Sequence, residues 1–301
     1  MYSKLLSVHT EDRDITKYPS SSNFAIDLPV EYKNVYSMKL IDIELPSNYY
    51  VFSEANQNTK LSVSVNNIQQ VITITEGTYS PIQLVSELEG QLNLAFTTIT
   101  LFKVYFNTTA MKFVFSCNDP FTFIFTQPES YSGNSFYDQY TQWGLGNYLG
   151  FSKAIYNSTY FTAYPMFSDN IVLNNCNLIE SHFTASIFGD SHIYMELDQY
   201  NSIDELEPYT KRSSSMFTAK YGGKHNSSFA KIPMLATLNE KFYVSKEGFL
   251  FNIFYSEPPL ERIQKLKFKF RYHDGRPIDF GNANFSFTIE FKLDKEYIKN
   301  K

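Results

Sequence analysis

The sequence predicts a mainly β protein, an antiparallel β-sandwich with a smaller subdomain inserted into it. Three observations carry that expectation. Apolar and polar residues alternate over most of the chain, the alternating runs are short and bounded by turn residues, and only one stretch has helical spacing. Aromatic loading points the same way: 28 Phe and 23 Tyr against a single Trp make up 17% of 301 residues. Such rings fit pleated, half-buried surfaces and bring large area into a core or an interface.

The first strand expected is short, with Phe24, Ile26 and Leu28 on one side and Pro29 closing it. A longer run from Val35 to Leu45 follows and Pro46 ends it; its apolar set changes face midway, as a bulge requires. Leu61, Val63 and Val65 alternate, Asn66-Asn67 makes a turn, and Val71 to Thr75 form the return strand. Ser80 is placed as an N-cap with Pro81 at the first helical position. Ile82, Val85, Leu88, Leu92 and Phe96 then recur at helical spacing, which predicts a helix over 81–96. Strands are expected at 99–106, 111–116 and 120–126, completing a ββαβββ block.

From Pro128 to Gly150 the chain is rich in Gln, Ser, Tyr and Gly, which reads as a long aromatic loop with a contact-making role. Strands resume at 170–174, 178–188, 192–197, 214–221, 229–236, 241–246, 249–255, 265–272 and 284–293, separated by Gly189-Asp190, Gly222-Gly223 and Asp274-Gly275. Many short strands with such turns predict a jelly-roll-like sandwich. The expected organisation is a sandwich of 1–55 and 165–301, with 56–164 inserted as an α+β subdomain. Two consecutive domains split near 165 are the alternative.

Charge excludes several functions. Net charge is −5 and the isoelectric point about 5.6, so no overall basic field exists to hold nucleic acid. Lys265, Lys267 and Lys269 alternate with Leu266, Phe268 and Phe270, the pattern of a strand with one wet face. Charged residues are 19% of the chain, a weakly solvated surface that suits a protein covered by neighbours, although an AT-rich genome inflates the same residue types. No apolar run approaches the ~18 residues that a spanning helix needs. Cys117 and Cys176 are too few for a disulfide scaffold or a zinc site, and reduced thiols are expected.

Catalytic grammar is sparse. His9, His182, His192, His225 and His273 are scattered; His182 and His192 could face each other across a hairpin, but Glu180, Asp190 and Glu196 nearby lack metal-ligand spacing. His273-Asp274 reads as the entry to an Asp-Gly turn. The glycines of 144–150 imitate a dinucleotide fingerprint without the βαβ context it needs. Asp198, Asp204, Glu205 and Glu207 form an acidic cluster whose default reading is a solvated loop. No cofactor and no metal are expected.

Several stretches together resemble the minor capsid proteins of nucleocytoplasmic large DNA viruses and related icosahedral viruses, including their penton (vertex) proteins. They are Ser7-Val-His-Thr-Glu-Asp-Arg-Asp14, Tyr18-Pro19, Asn23 to Pro29, Val35 to Tyr50, Ile74 to Tyr79, Leu149-Gly-Phe151, Asp274-Gly275 to Phe280, and Phe285 to Ile289. They fall in order along nearly the whole chain. His9-Thr10 departs from the Ser/Asp-Arg wording of that family's opening. The resemblance implies a structural virion protein in the capsid shell, partnering the major capsid protein or itself, including as a pentamer, and no enzyme. Residues 1–22 are expected to be an arm that reaches a neighbour, as is the charged tail from Asp294 to Lys301. Two alternatives stand: a glycan- or receptor-binding attachment module, and a β-sandwich hydrolase. For the first, Tyr131, Tyr137, Tyr140, Trp143 and Tyr148 form a stacking surface. These five rings, with Arg13 and Tyr18 of the opening stretch, are the candidate interaction residues.

Overall fold

The structure, a computed structural model, describes residues 1–46, 49–97, 101–126, 143–166, 171–206, 225–234, 242–245, 252–273, 275–281 and 283–294. The elements run β1 (Tyr2–His9), β2 (Asn23–Leu45), β3 (Lys60–Val65), β4 (Ile68–Thr73), α1 (Pro81–Ala95), β5 (Phe102–Asn107), β6 (Lys112–Cys117) and β7 (Phe121–Ile124). They continue with α2 (Leu145–Tyr148), β8 (Ile155–Asn157), β9 (Thr159–Met166), β10 (Ile171–Glu180), β11 (His192–Leu197) and β12 (Ile203–Leu206). The last are β13 (His225–Ser228), β14 (Ala230–Pro233), β15 (Phe242–Ser245), β16 (Ile253–Arg271) and β17 (Ser286–Leu293). Two compact units result: an outer unit of Met1–Tyr49 with Asp190–Lys301, and an insert of Tyr50–Gly189.

The outer unit is built on two long strands, β2 and β16, which pair antiparallel along most of their length. Sequence alternation splits each into two strands, with Pro29 closing the first part of β2. Pro29 instead sits where the ladder slips, as do Pro258 and Pro259 of β16: residues 28–31 stand opposite Gln264, and 256–259 opposite Tyr36. Proline is tolerated at a bulge, since no ladder hydrogen bond is asked of it there, and the strand bends.

The bends fold one sheet over on itself. Phe24 pairs with Phe268, and Ile43 pairs with Phe287. A straight strand would hold Phe24 and Ile43 about 60 Å apart, yet the Phe268 and Phe287 rings meet at 5.0 Å. The two halves of the bent pair therefore face each other. One layer reads β1, β17, the later half of β2 and the start of β16, with β15 continuing that edge. The other reads the early half of β2, the later half of β16, β11 and β14. That is the strand order of a jelly roll. Between the layers lie Phe24, Met38, Leu40, Phe268, Phe287 and Phe291, all fully buried. Each such side chain contributes about 1.5–3 kcal/mol on leaving water.

The insert holds two four-stranded antiparallel sheets, β5-β6-β10-β9 and β4-β3-β7-β8. Aromatic rings mesh between them: Phe115 meets Phe123 at 4.8 Å and 89°, and Phe102 meets Phe121 at 5.2 Å and 80°. These are edge-to-face contacts, the geometry ring quadrupoles prefer. The hairpin turn Asn66-Asn67 takes φ of 50° and 65°, the left-handed pair that a two-residue loop demands.

Helix α1 begins as expected. Ser80 Oγ accepts from Gln83 N at 3.3 Å, and Gln83 Oε1 accepts from Ser80 N at 2.9 Å, a complete capping box. The buried stripe differs from the expected one: it is Leu84, Leu88 and Leu92, with Phe96 at the cap, while Ile82 is exposed. Both sets have helical spacing, and only packing against β4 and β5 selects between them.

The unit boundary falls at 189/190, not near 165. Strands β9 and β10 pair with each other, and β10 pairs with β6, so they belong to the insert. The strand expected over 178–188 ends at Glu180; beyond it the chain is held by single hydrogen bonds, Ser181 N to Phe113 O and Phe183 N to Gly150 O. Cys117 and Cys176 are free and buried. Cys176 joins a cluster with Val114 and Leu178 on one face of its sheet, where burial pushes its thiol up. Cys117 pairs with Asn177, the next residue along, and so points to the other face.

Candidate functional site

Strand β16 ends in a charge cluster that sequence reading passes over. Lys265, Lys267, Lys269 and Arg271 share one period-two register and look alike, yet Arg271 is fully buried. Its Nε donates to Glu196 of β11 and its Nη2 to Glu205 of β12, while Nη1 donates to Tyr272 O at 3.1 Å. The Tyr194 ring covers the guanidinium at 5.3 Å. His273 Nδ1 lies 2.9 Å from the second oxygen of Glu205, and Lys269 Nζ 3.4 Å from that of Glu196.

Burial alone disfavours a charged guanidinium, but Glu205 and Glu196 outweigh it and raise the Arg271 pKa. The acidic cluster read as solvated thus divides. Glu205 is a buried ion-pair partner, Asp198 lies in a turn with φ of 42°, and Glu207 lies outside the described residues. Glu196 and Glu205 both accept from Arg271, which braces the β12–β13 hairpin against the sheet. The signal is weak in sequence because Arg271 shares the outer face of its lysine neighbours and is buried only where the β12–β13 hairpin covers that face.

The histidine pair considered for a metal is divided between the units. His182 stacks on Tyr156 at 4.9 Å in the insert, and His192 bonds Ser191 at 2.8 Å in the outer unit. Among the described residues, no group of three His, Cys, Asp or Glu could hold a metal ion.

The opening stretch is not a free arm. All eight residues of β1 pair with β17, from Tyr2–Leu293 to His9–Ser286. Thr10 is buried and exchanges bonds with Phe285: Thr10 N donates to its carbonyl and Phe285 N to Thr10 Oγ1, both at 2.9 Å. Arg13 donates to Thr10 O at 2.6 Å, Asn284 Oδ1 at 2.8 Å, Tyr18 O at 3.0 Å and Pro19 O at 3.1 Å. Tyr18 packs on the core. Both residues tie the segment down within their own chain. Low apolar content suggests an arm, but an edge strand needs apolar residues on one face only. Of the C-terminal tail, Asp294 N donates to Asn34 O at 3.0 Å, and 295–301 lie outside the described residues.

The rings proposed as a stacking surface are placed differently as well. Trp143 is 2% exposed and Tyr148 5%, so neither presents a face to a sugar. Trp143 packs on Phe125 at 5.3 Å and Tyr148 on Phe52 at 5.2 Å. Gly146 allows this closure: a Cβ there would come within 2.5 Å of Trp143 and 2.6 Å of Phe125. Tyr131, Tyr137 and Tyr140 lie outside the described residues.

Among the described residues, the sheets end at β1, β14 and β15 in the outer unit, which also holds the β12–β13 pair, and at β4, β5, β8 and β9 in the insert. No protein-family model matches the chain, and no curated protein matches it. Among solved structures, the mavirus penton protein is similar at a TM-score of 0.45 and 10% identity, covering 97% of this chain and 100% of that one. A chain of the Sputnik virophage is similar to the same degree, TM-score 0.45 and 10% identity, covering 97% of this chain and 98% of that one.

Proposed function

We propose that this chain is a structural virion protein, a minor capsid or penton subunit that assembles with copies of itself or with a major capsid protein in the shell. The observation that carries the reading is the jelly-roll strand order of the outer unit, in which β2 and β16 each run through both layers. Such a body is stiff, closes most of its own hydrogen bonds, and presents flat sides and loop-bearing ends for contact. The motifs shared with minor capsid proteins support it. They do structural work here: the opening motif locks β1 beside β17 through Thr10 and Arg13. On this reading the chain is not an enzyme; its charged cluster is spent on bracing a hairpin.

The test is to purify particles of the virus that encodes the chain, strip loosely bound protein, and quantify the chain by mass spectrometry against the major capsid protein. A fixed ratio, with antibody labelling of the shell, is expected. Infectious particles that lack the chain would overturn the reading.

A further inference from the structure

Strand β1 and the segment that follows it are held in different ways. β1 is joined to β17 by a ladder of residue pairs running from Tyr2–Leu293 to His9–Ser286, but it buries little. Val8 is buried and Leu6 half-buried, while the other six side chains are exposed, Leu5 at 60%. The facing strand is the reverse: Phe287, Ile289, Phe291 and Leu293 of β17 are all buried.

The segment after β1 is anchored under cover. Thr10 is fully buried and bonded twice to Phe285. Arg13 ties Thr10, Tyr18 and Pro19 to Asn284. Ser21 and Ser22 are buried as well; Ser21 Oγ donates to Ala283 O at 3.1 Å, and Ser22 O accepts from Phe270 N at 2.7 Å.

The free energy of local opening follows buried apolar area, so these two parts separate. β1 lifts from β17 as a unit while Thr10 and Arg13 stay in place as its pivot. Lifting uncovers the backbone donors and acceptors of β17, a template for an incoming strand. The strand that fits this template is given by the ladder itself: β1, in the register above.

We infer that β1 is exchanged between copies, β1 of one chain pairing with β17 of the next about the pivot at Thr10. The occupant is a second copy because the exchanged ladder repeats, pair for pair, one already made within the chain. Exchange therefore gives up no hydrogen bond and no buried side chain of the ladder. Subunits held side by side in an assembly supply the high local concentration that favours it. Main-chain hydrogen bonds then link the copies. The inference rests on the reading of the chain as an assembling subunit and names the strand that joins its copies.

The test uses full-length chains and the pair Ser3–Lys292, two exposed residues directly opposite each other in the ladder. Ser3→Cys chains are mixed with mass-tagged Lys292→Cys chains, concentrated and oxidised, with circular dichroism to check that each folds. A disulfide between one chain of each kind is expected, read as a heterodimer that reduction abolishes. The double variant Ser3→Cys/Lys292→Cys, oxidised while dilute, closes the bond within one chain and locks β1 onto its own β17. By light scattering the locked chain should self-associate about tenfold or more weakly than wild type, and reduction should restore it. A wild type that stays monomeric, a mixture without the heterodimer, or a locked chain that associates as wild type does overturns the inference. None of those results removes the chain from particles, so the virion reading is judged separately.

Discussion

The outer unit and the insert are both two-layer β structures, but they hold their layers together in opposite ways. In the outer unit the same two strands pass through both layers, so continuity of the backbone joins them. In the insert the strands are mostly short, and interlocking rings such as Phe115 on Phe123 do the joining. The outer unit also buries an ion-pair cluster, and the insert covers one sheet edge, β5, with a helix. Sheet packing thus has two solutions, bent long strands or meshed aromatics, and they fail under different changes.

The largest effect should come from removing residues 1–22. This takes away a strand paired over eight residues and uncovers β17, so cooperative unfolding of the outer unit is expected to vanish from thermal melts. A truncated chain that melts as before would mean the segment is a dispensable arm after all. Next comes Phe123→Ala in the insert, expected to cost about 3–5 kcal/mol through transfer and cavity terms. Emission of the chain's single Trp, Trp143, sits in that unit and reports the shift in denaturant midpoint.

Glu205→Ala should cost the outer unit about 3 kcal/mol, because Arg271 stays buried with only Glu196 to answer it. Replacing both partners by apolar residues, Arg271→Met with Glu205→Leu, should recover most of that loss. If it does not, the cluster does more than brace. Asn93→Ala removes the α1 side chain that bonds Phe102 N and O of β5, and should cost about 1–2 kcal/mol for two hydrogen bonds. It should also make β5 sticky, which light scattering would detect as new self-association.

The smallest effect is on pH. Burial works to raise the Glu87 carboxyl, but hydrogen bonds from Thr75 N–H and Thr75 Oγ1 prevail and hold it below its ordinary 4.5. The unfolded chain therefore binds this proton more readily. The stabilisation is full above pH 4.5 and fades as pH falls through the lowered value. Glu87→Gln should flatten the acid limb of the insert's stability curve and leave that limb in the outer unit unchanged.

Much of the strand content was legible because alternation is a local property. So was the start of α1, where Ser80, Pro81 and Gln83 each speak for a cap. Membership of a sheet was not: β10 alternates as outer-unit strands do, and nothing local says which sheet it joins. Pro29 misled because a proline marks a bend within a strand as readily as its end. Trp143 and Tyr148 misled because a Gly- and Tyr-rich stretch reads as an exposed loop, whereas Gly146 is where the rings close in. Arg271 was hidden by its lysine neighbours, whose shared period carries no sign of which cation a hairpin will cover.

The pairing of β2 with β16 also sets an order in time. Phe24 must find Phe268 across the whole insert, and closing so long a loop is slow and entropically expensive. The insert is one contiguous stretch, 50–189, and on a ribosome it emerges complete well before β16 does. Once folded, it holds Gly189 against Val51 and so shortens the gap that β2 has to bridge. Until β16 and β17 arrive, β2 is an open strand more than twenty residues long, and the nascent chain is most exposed to wrong partners then.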